Sequence, residues 1–199
     1  MKFAYSRFLL LLLTFFVSIN VANAFEDEDE EESSESAAAK PSMEGKVVYT
    51  KTNIWYERPT KILILFHAGV MLPVGTKVTL GDMNSKALRF QREDGMQFRI
   101  YTRKYYNLTG PEMAKLLFSK ENPMAKGGAF HKFSKMERKQ IKLGQIKEGM
   151  SKQAVIMAYG YPPTHVNPSI ESDSWQLWKT RWNRLIVNFK NGKVSSIQD

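Results

Sequence analysis

From Lys46 onward, apolar residues come in short β-branched and aromatic runs. Val47-Val48-Tyr49, Ile54-Trp55-Tyr56 and Ile62 to Phe66 are separated by polar or proline-containing breaks, which is the pattern of strands. Lys77 to Leu80 reads as another strand after the turn-forming Pro73-Val74-Gly75. Leu88 to Arg92 and Met96 to Ile100 both alternate, and Asp94-Gly95 between them is a hairpin signal. Five or six short strands within about 60 residues predict a small antiparallel β-barrel. A helix is expected next, with Pro111 in its first turn and an apolar stripe of Met113, Leu116 and Leu117. The following residues are rich in helix and strand breakers (SKENPMAKGG from Ser119), and a linker is placed at residues 122–132.

The period then changes. Ser134 caps a predicted helix that runs to Leu143 and stops at Gly144. Ser151 caps a second, Lys152 to Tyr159, with Ala154, Val155, Ala158 and Tyr159 as its apolar side, and Gly160 followed by Pro162-Pro163 ends it. Three strands follow, at Ser174 to Thr180, Arg184 to Lys190 and Lys193 to Ile197. Asn191-Gly192 is a two-residue hairpin turn, which pairs Lys190 with Lys193, Phe189 with Val194 and Ile186 with Ile197. A three-residue turn at Arg181 to Asn183 would pair Trp175 with Phe189, Leu177 with Val187 and Trp178 with Ile186. The period of two then puts Trp175, Leu177, Val187, Phe189 and Val194 on the face that the helices cover. Trp178, Ile186 and Ile197 fall together on the other face.

The pattern Ile146-x-x-Gly149-Met150-Ser151, the helix carrying Val155, Tyr159-Gly160-x-Pro162, the aromatic strand Trp175 to Trp178, Val187-x-Phe189 and Asn191-Gly192-Lys193-Val194 resembles the SmpA/OmlA family, which includes the BamE-like outer-membrane assembly lipoproteins. The resemblance implies a two-helix, three-stranded α+β domain over residues 133–199, used for protein binding in the cell envelope and carrying no catalytic residues. Unlike the acylated assembly factors, this chain has no cysteine, and it has the additional strand-rich segment, residues 43–121. That segment is similar in architecture to bacterial Src-homology-3-like envelope barrels. The expected fold class is therefore α+β, with a β-barrel-like first domain and a BamE-like second.

The first 24 residues read as an address. Lys2 and Arg7 precede the apolar run Phe8 to Val17, and Val21-Ala22-Asn23-Ala24 offers a small-residue cleavage site. This is the form of a secretory signal peptide, too short in its apolar part for a spanning helix. Export to the periplasm or the periplasmic face of the outer membrane is expected, without a lipid anchor. Residues 25–42 hold eight acids between Glu26 and Glu35 and are expected to be a disordered leader, either solvated or folded back as an internal competitor.

Charge narrows the partners. The chain has 29 basic and 20 acidic residues, and with the acidic leader set aside residues 40–199 carry a net charge of +15. Such a body suits anionic partners or serves solubility alone; export argues against nucleic acid. The absence of cysteine excludes thiol nucleophiles, disulfides and Cys-type zinc sites. No nucleophile elbow, zinc-protease helix motif or phosphate-binding glycine loop occurs. His67, His131 and His165 are far apart, and Glu171 and Asp173 read as loop residues. A non-enzymatic role without cofactor or metal is expected: docking an envelope protein, with a binder of anionic lipid or cell-wall glycan, or an inhibitor of a cell-wall-active enzyme, as alternatives. The candidate binding residues are Trp178, Ile186 and Ile197 with Arg181, Trp182 and Arg184, a face that would dock a partner, cover the first domain or pair in a homodimer. A second candidate patch is Arg89, Arg92, Arg99, Arg103 and Lys104, interleaved with Tyr101, Tyr105 and Tyr106.

Overall fold

The computed structural model describes residues 43–199; the expected signal peptide and acidic leader lie outside the described residues. The chain is mixed α+β. Strands β1 (Val47–Thr50), β2 (Ile54–Tyr56), β3 (Ile62–Leu63), β4 (Val70–Leu72), β5 (Lys77–Met83), β6 (Ala87–Arg92) and β7 (Gln97–Tyr101) come first. Helices α1 (Arg103–Tyr106) and α2 (Gly110–Leu117) and strand β8 (Phe118–Ser119) follow. After a 3₁₀ turn at Ala129–Lys132 come α3 (Lys135–Leu143), α4 (Lys152–Tyr159), β9 (Ser174–Trp178), β10 (Arg184–Lys190) and β11 (Lys193–Gln198).

The first sheet is a curled half-barrel ordered β3-β7-β6-β5-β1-β8. Its alternating residues Val48, Val78, Leu80, Leu88, Phe90, Phe98 and Ile100 point into one core. Phe90 and Phe98 face each other across β6 and β7 with ring centroids 4.9 Å apart, and Phe118 meets Phe90 edge-on. Helix α2 packs Met113, Ala114 and Leu117 against this cluster. Its entry is fixed by a capping box between Thr109 and Glu112, with Pro111 in the first turn.

The half-barrel departs from the expected antiparallel barrel in two respects. Strand β3 pairs with β7 in parallel, and β2 leaves the main sheet to pair with β4, a strand with no sequence expectation. The cause lies in the run Ile62 to Phe66, expected to be one strand. Only Ile62–Leu63 is strand, because the Leu65 N–H turns back to the Leu63 carbonyl (2.7 Å). Phe66 is thereby sent to bridge Trp178 at the end of β9, and the His67 N–H donates to the Lys179 carbonyl.

The second sheet is ordered β11-β10-β9 and is covered on one face by α3 and α4. Trp175, Leu177, Leu185, Val187, Phe189 and Val194 are buried with Ile141, Val155 and Ala158 in a second core. Phe130, from the segment expected to be a linker, and Val74, from the β4–β5 connection, also belong to this core. One carboxylate fixes both helix starts. Glu137 accepts from the Ser134 N–H in the capping box of α3, and its other oxygen accepts from the N–H and hydroxyl of Ser151, the N-cap of α4. Burial pushes the Glu137 carboxyl up, but the hydrogen bonds from Ser151 and Ser134 outweigh it and hold it at about 2.

Asn53, 3% exposed, ties the two cores together. Its amide nitrogen donates to the Ile141 carbonyl in the last turn of α3 (2.7 Å) and to the Ala158 carbonyl in the last turn of α4 (2.9 Å). Its amide oxygen accepts from the Val74 N–H (2.8 Å). Two helix C-termini and one strand connection are thus satisfied by one side chain. The described residues lie within one compact unit.

Candidate functional site

The register of the second sheet places the candidate residues differently from the sequence expectation. The β9–β10 connection is a five-residue loop, Lys179 to Asn183, closed by the Lys179 N–H to the Asn183 carbonyl (2.9 Å) and by the Thr180 hydroxyl accepting from the Asn183 N–H. Arg184 therefore stands opposite Trp178, Ile186 opposite Gln176, and Val187 opposite Trp175. The shift is even, so the buried face is unchanged. On the other side a β-bulge intervenes. Phe189 still pairs with Val194, but Asn188 pairs with Ser196, leaving Ser195 as the extra residue. Ile197 consequently pairs with Val187 and packs against the second core rather than lying on the outer face with Ile186.

Trp178 is not an exposed anchor. It is 9% exposed, stacked on His165 with centroids 5.6 Å apart, and crossed by the Arg184 guanidinium at 5.9 Å. Among the described residues, the exposed tryptophan is Trp182, at 88%. It stands at the tip of the five-residue loop beside Arg181, and Arg184 opens β10 directly after the loop; both arginines are exposed. Beside it opens a cleft of about 510 Å³ lined by Trp55, Phe66, Trp182, Arg58, Lys61 and Arg181 among others, with Glu57 its one carboxylate among the described residues. The cleft is aromatic on its walls and cationic on its rim. Trp55 Nε1 is buried and has no hydrogen-bond partner among the described residues.

The local sequence explains this shape. β2 places Trp55 and Tyr56 next to the Arg58-Pro59 break, and the turn at Leu63–Leu65 swings Phe66 over to β9. His67 then locks the crossing. Its Nδ1 lies 2.7 Å from the Trp178 carbonyl, its Nε2 faces the Tyr159 carbonyl, and its ring stacks on Tyr159. Burial pushes the imidazole pKa down to about 4, against the pull of the Trp178 and Tyr159 carbonyls, so the ring is neutral at neutral pH. His67 is thus a strut of the cleft wall. Sequence reasoning missed Trp55, Arg58, Lys61 and Phe66; the aromatic and basic residues that flank the Pro59 break were the available signal.

Two of the five cations of the second candidate patch are paired with carboxylates. Arg89 pairs with Asp82, and Arg92 pairs through two nitrogens with Asp94. The Arg92 hydrogen bond, with the Met96 N–H, holds the Asp94 carboxyl down at about 2. Arg99 lies 4.8 Å over the Tyr101 ring, while Arg103 and Lys104 belong to α1. A larger cleft, about 890 Å³, runs between the β1–β2 connection and the starts of α3 and α4, with Lys51, Lys132 and Lys193 on its sides. Lys51 donates to the Lys115 carbonyl (2.7 Å), and burial lowers its pKa. Among the described residues, no group of three His, Asp or Glu side chains is arranged to hold a metal ion, and no helix is long and apolar enough to cross a membrane.

No protein-family model, curated protein or solved structure matches the chain.

Proposed function

We propose that this chain is a non-enzymatic interaction module of the cell envelope that docks a partner protein through the Trp182 loop and the cleft beside it. The observation that carries the reading is a tryptophan 88% exposed at a loop tip, with cationic side chains around it and a 510 Å³ aromatic cleft alongside. Large exposed aromatics with arginine neighbours are the residues that contribute most when buried at protein interfaces. Three cations against one carboxylate in the cleft select a partner whose matching surface is acidic. The resemblance of residues 141–199 to SmpA/OmlA domains and the signal-peptide form of residues 1–24 support an exported, envelope-facing role.

The test is photo-crosslinking in cells from position 182, with position 190, on an exposed strand end, as the control. An envelope protein captured from 182 and lost in an Arg58→Glu, Arg181→Glu variant supports the reading. The same adducts from both positions, or only adducts between copies of this chain, would overturn it. Trp182→Ser should leave the melting temperature unchanged, because so exposed a side chain makes little contribution to folding.

A further inference from the structure

Helix α3 has two sides. At 100° per residue, Glu137, Gln140 and Ile141 occupy the side turned into the protein, and all three are buried. Lys135, Arg138, Lys139 and Lys142 stand at i, i+3, i+4 and i+7, within an arc of about 100° on the opposite side. Lys135, Lys139 and Lys142 are exposed, and Arg138 is half-exposed. The stripe runs about 10 Å along the helix, at 1.5 Å per residue. Lys132 before the helix and Lys147 after it are also exposed.

None of these six cations is in a salt bridge among the described residues, whereas Arg89 and Arg92 on the hairpin are each paired. Like charges three and four residues apart on one helix destabilise it, so the stripe works against the helix that carries it. Two contacts steady it. Arg138 Nη1 donates to the His131 carbonyl (3.3 Å), and Lys142 Nζ lies 5.6 Å over the Phe130 ring. The one carboxylate on α3, Glu137, is turned away and bonded to Ser134 and Ser151.

We infer that this stripe is a binding surface for a linear acidic polysaccharide. A file of cations at regular rise matches a chain carrying a carboxylate or sulfate on successive sugars. The apolar side of α3 is committed to the second core, which leaves Leu143, 48% exposed, as the large apolar side chain at its surface. An interfacial membrane helix needs an apolar face to insert, and a single-strand nucleic-acid site needs exposed aromatics to stack on; this stripe has neither. The surface is distinct from the Trp182 cleft, so the two readings stand or fall separately.

The experiment is titration of the full mature chain with a size-defined heparin octasaccharide over a range of salt. Lys135→Gln, Arg138→Gln, Lys139→Gln and Lys142→Gln are combined in one variant. A charge-matched variant carries Lys46→Gln, Lys86→Gln, Lys120→Gln and Lys190→Gln, all exposed positions. Counterion release gives about 0.7–0.9 in the slope of log K against log salt for each cation engaged on a nucleic acid, and the same scale is taken for a polysaccharide of comparable charge density. The α3 variant should lose about 3 in that slope, and the charge-matched variant should keep the wild-type slope. Equal losses in both variants would show attraction by net charge alone and overturn the inference. So would tighter binding to vesicles of 30% phosphatidylglycerol, or to duplex DNA, than to the octasaccharide at the same salt. Glutamine keeps helix propensity, and unchanged far-ultraviolet circular dichroism checks that the variants fold.

Discussion

Replacing Asn53 tests the claim that one amide joins the strand-rich and helical parts of the chain. In Asn53→Ala the Val74 N–H and the Ala158 carbonyl lose the partner that the side chain supplies, while the Ile141 carbonyl keeps the Gly144 N–H. Three hydrogen bonds of about 1 kcal/mol each disappear, and orphaning a buried group adds about 1–3 kcal/mol. Part of that penalty is recovered by relaxation, so a loss of about 4 kcal/mol is expected. For a chain of this size that lowers the melting temperature by about 10 °C, at about 2–4 °C per kcal/mol. Asn53→Asp is the sharper variant. It keeps an acceptor for Val74 but turns a carboxylate toward two carbonyl oxygens, so at pH 7 it should cost at least as much as alanine. At pH 4 and below, protonation restores one donor and part of the loss should return. The assay is urea unfolding followed at once by tryptophan fluorescence and far-ultraviolet circular dichroism. An Asn53→Asp protein as stable as wild type at pH 7, or an alanine variant within 1 kcal/mol of it, would refute the reasoning.

Two further predictions concern pH. The His67 imidazole is held at about 4 in the folded chain and titrates near 6.5 when unfolded. The unfolded state therefore takes up the proton first. Stability contributed by neutral His67 is complete above pH 6.5 and is lost as pH falls to 4, by about 3 kcal/mol at 1.36 kcal/mol per unit. His67→Gln should flatten the urea midpoint between pH 6.5 and 4, and parallel profiles for variant and wild type would refute the assignment. Glu137 acts in a lower window. Its carboxyl titrates near 4.5 unfolded and at about 2 folded, so its contribution is present above pH 4.5 and is lost as pH falls through 2. Glu137→Gln should cost about 2 kcal/mol at pH 7, through the weakened Ser134 and Ser151 bonds, and almost nothing at pH 2; thermal melts at both values decide it.

Local signals were legible where one residue type enforces one geometry. Ser134 and Ser151 cap their helices, Gly144 ends α3 with a left-handed φ of 63°, and Asn191-Gly192 turns β10 into β11 with both residues at positive φ. What was not legible depends on partners distant in sequence. Asn53 looks like an ordinary turn residue until the ends of α3 and α4 are brought to it. Phe66 looks like the end of a strand until the bridge to Trp178 is seen. Trp178 and Trp182 are four residues apart and chemically alike. Their fates differ because His165 and the Phe66 crossing cover one, while the loop lifts the other into solvent.

Parity decides which errors of register matter. Misjudging the β9–β10 loop by two residues moved every pair on those strands but no side chain across the sheet, so Trp175, Leu177, Val187 and Phe189 stayed on the covered face, joined there by Leu185, while Trp178 stayed on the other face and is buried there by other contacts. The single extra residue Ser195 did the opposite. It left the Asn191-Gly192 hairpin and the Phe189–Val194 pair intact, yet carried Ile197 from the outer face to the core. The bulge is held by side chains: the Asn188 amide donates to the Ser196 hydroxyl (3.0 Å), and the Ser195 hydroxyl donates to the Asn188 carbonyl (3.2 Å). A sequence that alternates apolar and polar residues cannot announce such an insertion, because Val194-Ser-Ser-Ile197 fits a regular strand with Ile197 facing out equally well. With Ile197 withdrawn, the outer face of the second sheet lacks the apolar cluster that a docking surface there would need, and this is why the proposed docking site is the Trp182 loop and not that face.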